Sequence, residues 1–205
     1  ELVKLHAYDA VELPPIDPET GRPKINPKTG KERRPIAKGK APFESNWTKK
    51  PADNADALAY AKANPKANLG IRLTRRLLVV DVDPRNFENG VDSLALLSAD
   101  AGYDFSDHYP RQVTGSGGLH LFFKKPVDLG FAGAVAAYPG LEFKTAGTQV
   151  VGAGSIHPET RKPYTFEVDP FGDMQGGIEG LPDLSSGTFS TFRNLIAKGN
   201  ATGAP

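Results

Sequence analysis

The chain contains no cysteine among its 205 residues. That absence excludes disulfides, thiolate nucleophiles and cysteine zinc sites together, and it agrees with a reducing compartment. Long apolar runs are also missing: no stretch approaches the roughly 20 residues that cross a bilayer. No membrane association is expected, and the expected location is the cytoplasm. A net charge of +1 carries no global electrostatic signature. The distribution is less even, because the first 50 residues are rich in Lys and Arg and the last 40 are poor in them. With 39% apolar and 24% charged residues, the composition is that of a globular chain able to bury one sizeable core.

The strongest positive feature is Leu77-Leu78-Val79-Val80-Asp81-Val82-Asp83-Pro84. Side chains alternate across a strand, so Asp81 and Asp83 share a face. Two carboxylates held that close repel unless a proton or cation neutralises them. Hard oxygen ligands of this kind suit Mg²⁺ or Mn²⁺. The alternative is a strand that ends in an Asp-rich turn.

Turn signals divide the chain. Asp17-Pro18-Glu19-Thr20-Gly21 and Asn26-Pro27-Lys28-Thr29-Gly30 repeat one pattern, an Asx before Pro and a Gly where positive φ is needed. His157-Pro158-Glu159-Thr160-Arg161 is a third version without the Gly. The spacing predicts a short helix over Leu2 to Ala10 and a helix from Asp53 or Asn54 to about Asn64. Asn68 to Leu73 and Leu77 to Asp83 are expected to pair as a hairpin, followed by a helix from about Gly90 to Ser98. A second hairpin joins Gln112–Thr114 to His120–Lys124. Further strands are expected at Leu141–Lys144, Thr148–Val151 and Tyr164–Val168, and a closing helix at Phe189–Lys198. The order of elements is α+β. Glu1 at the start and the linker-like tail Gly199–Pro205 suggest a domain excised from a longer protein, with residues 1–198 as one unit. That unit is expected to comprise an N-terminal module to about residue 66 and a metal- and nucleotide-binding core from about residue 67.

Two further segments add chemistry to the Asp pair. Thr114-Gly115-Ser116-Gly117-Gly118-Leu119-His120 places a side-chain-poor turn directly before a histidine on a strand. Gly117 and Gly118 allow close approach of an anion, Ser116 adds a hydroxyl, and the His120 imidazole adds a directional donor. Leu141-Glu142-Phe143-Lys144 puts a third carboxylate and a cation on one strand face. Glu142 can complete a two-metal centre with Asp81 and Asp83, and Lys144 can meet a triphosphate; taken singly, the two read most simply as a solvated strand face. The run Val151-Gly152-Ala153-Gly154-Ser155-Ile156-His157 again offers a serine and a histidine after a strand, either lining a nucleotide pocket or stabilising a turn.

In this order, Lys38-x-Lys40-x-Pro42 with Trp47, Asn68-Leu69-Gly70-Ile71, Leu78 to Asp83, Ser116 to Phe122, Leu141 to Lys144 and Val150 to Pro158 resemble the bifunctional DNA primase/polymerase domain of the archaeo-eukaryotic primase superfamily. The resemblance covers roughly residues 35 to 170. It implies an RRM-like catalytic sheet packed on helices and joined to an N-terminal α/β module. It implies that Asp81 and Asp83 bind two Mg²⁺ or Mn²⁺ ions and that His120 contacts the incoming nucleotide. Glu142 stands where the family has its third acidic residue, often aspartate. Ser116, Gly117, Gly118, Lys144, Ser155 and His157 would complete the nucleotide site. The implied partners are a single-stranded DNA template, deoxynucleoside or nucleoside triphosphates, and a fused or associated replicative helicase, in a phage or plasmid replication protein. Some relatives carry a zinc-binding insertion, which a chain without cysteine should lack.

Under that reading Arg72, Arg75 and Arg76 are nearby cations, and the Lys-rich early segment with Trp47 can track the template. Lys24, Lys28 and Lys31 read more simply as a solvated surface. Two rivals remain: a two-metal nuclease or phosphohydrolase, and a non-catalytic RRM-like module that binds single strands.

Overall fold

The computed structural model describes residues 1–130, 133–168 and 177–199. In chain order its elements are β1 (Leu2–Ala7), β2 (Val11–Glu12), β3 (Ile36–Ala37), α1 (Asn54–Ala63), β4 (Ala67–Arg72), β5 (Leu77–Val82), α2 (Ser93–Ala101), β6 (Arg111–Val113), β7 (Leu119–Lys124), β8 (Gly133–Ala134), β9 (Leu141–Lys144), β10 (Gln149–Val151), β11 (Thr165–Glu167) and α3 (Ser190–Gly199). Strands and helices are mixed, neighbouring strands among the described residues pair antiparallel, and the class is α+β.

Alternation along β5 organises the larger sheet. Leu78, Val80 and Val82 turn to one face, where they meet Leu121 and Phe123 of β7, Leu141 and Phe143 of β9, and the helical residues Leu97, Ala101, Phe192 and Ile196. Helices α2 and α3 therefore cover that face. Phe105, Phe123 and Phe192 are fully buried there, and the Phe105 and Phe192 rings meet edge-on at 4.9 Å. Truncating any one of them to alanine should cost about 3–5 kcal/mol. On the opposite face, Leu77 and Val79 pack with Phe122, Leu73 and Val150. That apolar cover ends where the strand reaches Asp81.

The six strands of this sheet run in the order β11-β6-β7-β5-β9-β8, antiparallel at every step. A second, three-stranded sheet has the order β1-β4-β10, with α1 packed on β1 and β4. Its core joins Val3 and Leu5 to Val151, Tyr164 and Trp47. Strands from both sides of residue 66 thus build one sheet.

Two local expectations are corrected. Leu2 to Ala7 is a strand, not a helix. Val3 and Leu5 are the buried pair, so period two and pairing with β4 win over the helical spacing of Leu2 and Leu5. The expected hairpin of residues 68–73 with 77–83 does not form either: β4 pairs with β1 and β10, and β5 with β7 and β9. The hairpin of β6 with β7 forms as expected.

Helix ends follow their caps. The Asp53 carboxylate accepts the Asp56 amide at 2.9 Å and starts α1. Asp92 accepts the amides of Leu94 and Ala95, so α2 begins at Ser93, not Gly90, and runs on to Gly102 at φ 65°. No helix among the described residues is long and apolar enough to cross a membrane. Of the tail expected to be a linker, residues 200–205 lie outside the described residues.

Candidate functional site

Register assembles the site. Asp81 on β5 lies opposite His120 of β7 on one side and opposite Glu142 of β9 on the other. His120 in turn faces Gln112 of β6. Directly paired residues point to the same side of a sheet, so Gln112, His120, Asp81 and Glu142 form one polar row. The row lies on the face away from α2 and α3, and Lys144, two residues beyond Glu142, joins it.

The charges along the row are paired. Lys144 Nζ lies 2.5 Å from Asp81 Oδ2 and 3.1 Å from Glu142 Oε2. Burial works to lower the Lys144 pKa, but Asp81 and then Glu142 outweigh it, and the ammonium is held above its ordinary range. His120 Nε2 is 3.5 Å from Asp81 Oδ1. The ring is only 4% exposed, and desolvation brings its pKa down to about 4 against the opposing pull of Asp81. His120 is therefore neutral at physiological pH.

Asp83 stands one step past the strand and caps the short turn Pro84–Asn86. Arg85 clasps it from both sides, with Nε on Oδ1 at 2.9 Å and Nη2 on Oδ2 at 2.8 Å. That bidentate pairing is the main reason the Asp83 carboxyl sits below its usual range. Asp81, Asp83, His120, Lys144, Ser116 and Lys40 line one cleft of about 160 Å³. Glu142 does not line it; its side chain is 60% exposed and reaches the cleft only through Lys144.

The glycine turn is shaped rather than open. Gly117 donates its amide to the Thr114 carbonyl, and Gly118 donates to Thr114 Oγ1, so those two N–H groups close the turn. Gly117 has φ 88°, and a Cβ on Gly118 would sit 2.1 Å from the Val82 carbonyl oxygen. Thr114 Oγ1 also meets the Ser116 hydroxyl at 3.0 Å, which places Ser116 at the cleft.

Ser155 and His157 lie behind the cleft wall. The Ser155 hydroxyl donates to the Leu69 carbonyl at 2.9 Å and accepts the Leu69 amide at 3.0 Å, which ties its loop to β4. His157 Nδ1 accepts the amides of Glu159 and Thr160. Its Nε2 is buried without a hydrogen-bond partner. Desolvation, followed by Lys40, lowers its pKa. Tyr164 stands between the two histidines, 6.2 Å from the His120 ring and 6.0 Å from the His157 ring, in stacked geometry.

Some expected cations are engaged elsewhere. Arg72 donates to the carbonyls of Lys50 and Thr48, and Arg76 pairs with Glu179. Trp47 packs against the core of the smaller sheet. Sequence reasoning gave no role to Arg85 or Gln112, and placed Lys40 only in the Lys-rich early segment expected to track the template, not in this cleft. Arg85, two residues after Asp83, was locally visible. Lys40 reaches the cleft from a distant loop, where desolvation and then Arg85 hold its pKa down. The expected hairpin already sets Gln112 opposite His120, but its further bond to the Val151 carbonyl depends on a strand far along the chain.

Among the described residues, no group of three His, Asp or Glu side chains closes around a common point as a metal cage would. The donor set nonetheless fits a hard divalent cation. Asp81, Asp83 and Glu142 offer carboxylate oxygens, and Lys144 and Arg85 mark where positive charge is stabilised. No curated protein matches the chain. Residues 13–184 match the family model described as bifunctional DNA primase/polymerase, N-terminal. That span contains every element of the cleft, and the chain belongs to the bifunctional DNA primase/polymerase N-terminal family.

Proposed function

We propose that this domain joins nucleotides on a single-stranded DNA template by metal-assisted phosphoryl transfer, releasing pyrophosphate, as part of a phage or plasmid replication protein. The observation that carries the reading is the row His120, Asp81, Glu142 across three adjacent strands, with Lys144 bridging the two carboxylates. Family membership supports the reaction class.

Asp81, Asp83 and Glu142 would hold Mg²⁺ or Mn²⁺, two ions per site, which when bound activate a 3′-hydroxyl and neutralise the triphosphate. The chain's own groups do the positioning. Gln112 Nε2 donates to His120 Nδ1 at 2.8 Å and to the Val151 carbonyl at 2.7 Å. His120 Nδ1 is then an acceptor, and its proton sits on Nε2, ready to donate to a phosphate oxygen. Ser116 adds a hydroxyl, and Lys144 and Lys40 supply positive charge. Gly117, Gly118, Ser155 and His157 act by fixing the loops that carry these groups. A cleft of about 160 Å³ suits the phosphates and leaves base and template to the surrounding surface.

The topology supports an RRM-like core. Counting β5, β6, β7 and β9 as first to fourth, their order across the sheet is second, third, first, fourth, that of a split βαβ fold. In this reading the smaller sheet with α1 would be the N-terminal α/β module, completed by β4 and β10 from beyond residue 66.

The test uses single-stranded templates, primed and unprimed, with labelled deoxynucleoside or nucleoside triphosphates and either Mg²⁺ or Mn²⁺. Incorporation by the wild type, lost in Asp81→Ala/Asp83→Ala, is the expected result. Template degradation without incorporation would instead favour a hydrolase, and metal-independent strand binding alone would favour a binding module.

A further inference from the structure

We infer that Lys144 and Arg85 are resident counter-cations of the motif carboxylates, so that divalent metal enters together with the triphosphate and not before it. This rests on the nucleotidyltransferase reading and adds an order of loading to it.

The argument begins with occupancy of the donor oxygens. Both oxygens of Asp83 are engaged by Arg85, and Asn86 Nδ2 adds a contact to Oδ2 at 3.2 Å. Asp81 Oδ2 is engaged by Lys144 at 2.5 Å, and the same ammonium reaches Glu142 at 3.1 Å. Every carboxylate that would ligate metal therefore already has a cation of the chain against it. A carboxylate oxygen facing an ammonium or guanidinium cannot also face a divalent ion without moving one of them.

Net charge decides the direction of exchange. Asp81, Asp83 and Glu142 face Lys144, Arg85 and Lys40, whose side chain lines the same cleft, and Glu159 adds a fourth carboxylate 4.0 Å from Arg85. A divalent ion arriving alone would place excess positive charge beside Lys144 and Arg85, which already touch these carboxylates. A triphosphate arriving alone would face the carboxylates. Together the two are close to neutral, and the triphosphate oxygens offer Lys144 and Arg85 charge-assisted partners that replace the carboxylates. The carboxylate oxygens are then free to face metal. By linkage, metal must raise nucleotide affinity by the same factor by which nucleotide raises metal affinity.

Free Mn²⁺ measured by electron paramagnetic resonance tests this without any turnover. The titration is run on the folded domain, alone and with a non-hydrolysable deoxynucleoside triphosphate analogue, and the Mn²⁺ held by the analogue without protein is measured separately and subtracted. In the wild type the analogue should tighten Mn²⁺ binding by at least about tenfold. Lys144→Met and Arg85→Met should each tighten binding of Mn²⁺ alone by about tenfold, the scale of removing one neighbouring like charge, and should shrink the effect of the analogue. Circular dichroism and melting curves confirm that each variant is folded. Wild-type binding of Mn²⁺ alone as tight as with the analogue overturns the inference. A variant that binds Mn²⁺ alone no tighter than wild type overturns it for that cation. Asp81→Asn/Asp83→Asn separates the two levels. If that variant loses Mn²⁺ while both cation variants leave affinity unchanged, the metal reading stands and the loading order falls. If it binds Mn²⁺ as well as wild type under both conditions, the metal reading itself falls.

Discussion

Gln112 Nε2 is shared between His120 Nδ1 and the Val151 carbonyl, at 2.8 and 2.7 Å, and so links the six-stranded sheet to the last strand of the smaller one. Turning the amide over would set its oxygen against the carbonyl of Val151, so the donor role is fixed and the His120 tautomer with it. Gln112→Leu should cost about 1–3 kcal/mol by leaving two buried acceptors unpaired. It should also lower nucleotide incorporation about tenfold or more by freeing the ring to exchange tautomers. Nitrogen-15 spectra of the imidazole provide the direct readout: a single Nε2–H form in the wild type and a mixture in the variant. An unchanged tautomer in the variant would remove Gln112 from the mechanism.

Gly118 is required by space, not by a backbone angle. A side chain there would meet the Val82 carbonyl oxygen at 2.1 Å, on the strand end between Asp81 and Asp83. Gly118→Ala should therefore destabilise the fold by about 1–3 kcal/mol and separate β7 from β5 where His120 faces Asp81. Gly154→Ala makes the contrast, because φ 86° strains the backbone there but no atom lies within 4 Å of the added carbon. Gly118→Ala is expected to reduce nucleotide affinity far more than Gly154→Ala at comparable melting temperature. Equal losses would show that general destabilisation accounts for both.

The six-stranded sheet was largely legible because β5, β7 and β9 alternate strongly, and alternation fixes which residues share a face. Asp81, His120 and Glu142 could be put on one side of their strands from sequence, and the register then made them neighbours. Long-range choices were not legible. Pairing of β4 with β1 and β10 rather than with the adjacent β5 depends on contacts far apart in the chain. The glycine amides illustrate a different limit: composition suggested an anion-binding loop, whereas the Gly117 and Gly118 hydrogens are used to close the turn. The side-chain choice of Lys144 for Asp81, across two strands, is likewise a property of the folded cleft.

His108 should give the folded domain a pH dependence that sets in above the carboxylate range. It is fully buried and stacked on Phe123 at 4.1 Å. Nε2 donates to the Phe122 carbonyl at 2.9 Å, and Tyr103 donates its hydroxyl to Nδ1 at 3.0 Å. Burial lowers its pKa from 6.5 to about 4, although the Phe122 bond opposes the shift. Above 6.5 both folded and unfolded states are neutral, and His108 adds no pH dependence. Between about 6.5 and 4 the unfolded chain binds a proton that the folded one refuses, so stability falls as pH falls, by at most about 3 kcal/mol. Urea unfolding from pH 7.5 to 4.5 should show this decline, and His108→Phe should show a shallower one. A wild-type stability flat across that interval would refute the assignment.

The turn at His157 can be separated from any chemistry of its ring. Asp17 Oδ1 accepts the amides of Glu19 and Thr20, and Asn26 Oδ1 accepts that of Lys28. His157 Nδ1 does the same for Glu159 and Thr160, an imidazole in the place of an Asx side chain. The fifth residue of each turn donates back to the first carbonyl, from Gly21, Gly30 and Arg161, with φ of 67°, 65° and 60°. Arg161 takes a conformation that disfavours side chains by roughly 1–2 kcal/mol, offset by its guanidinium over the Tyr8 ring at 5.3 Å. Thr160 Oγ1 then donates to the Gly115 carbonyl at 2.7 Å and clamps the turn to the loop that carries Ser116. His157→Ala should lose the two amide contacts, cost about 1–2 kcal/mol and weaken nucleotide binding by loosening that loop. His157→Asn supplies an oxygen where Asn26 has one and should recover most of both losses. Melting temperature and affinity for the triphosphate analogue are to be measured together. If Asn proves as damaging as Ala, the turn is not what His157 provides, and its role passes to the stack on Tyr164 or to the buried Nε2 hydrogen.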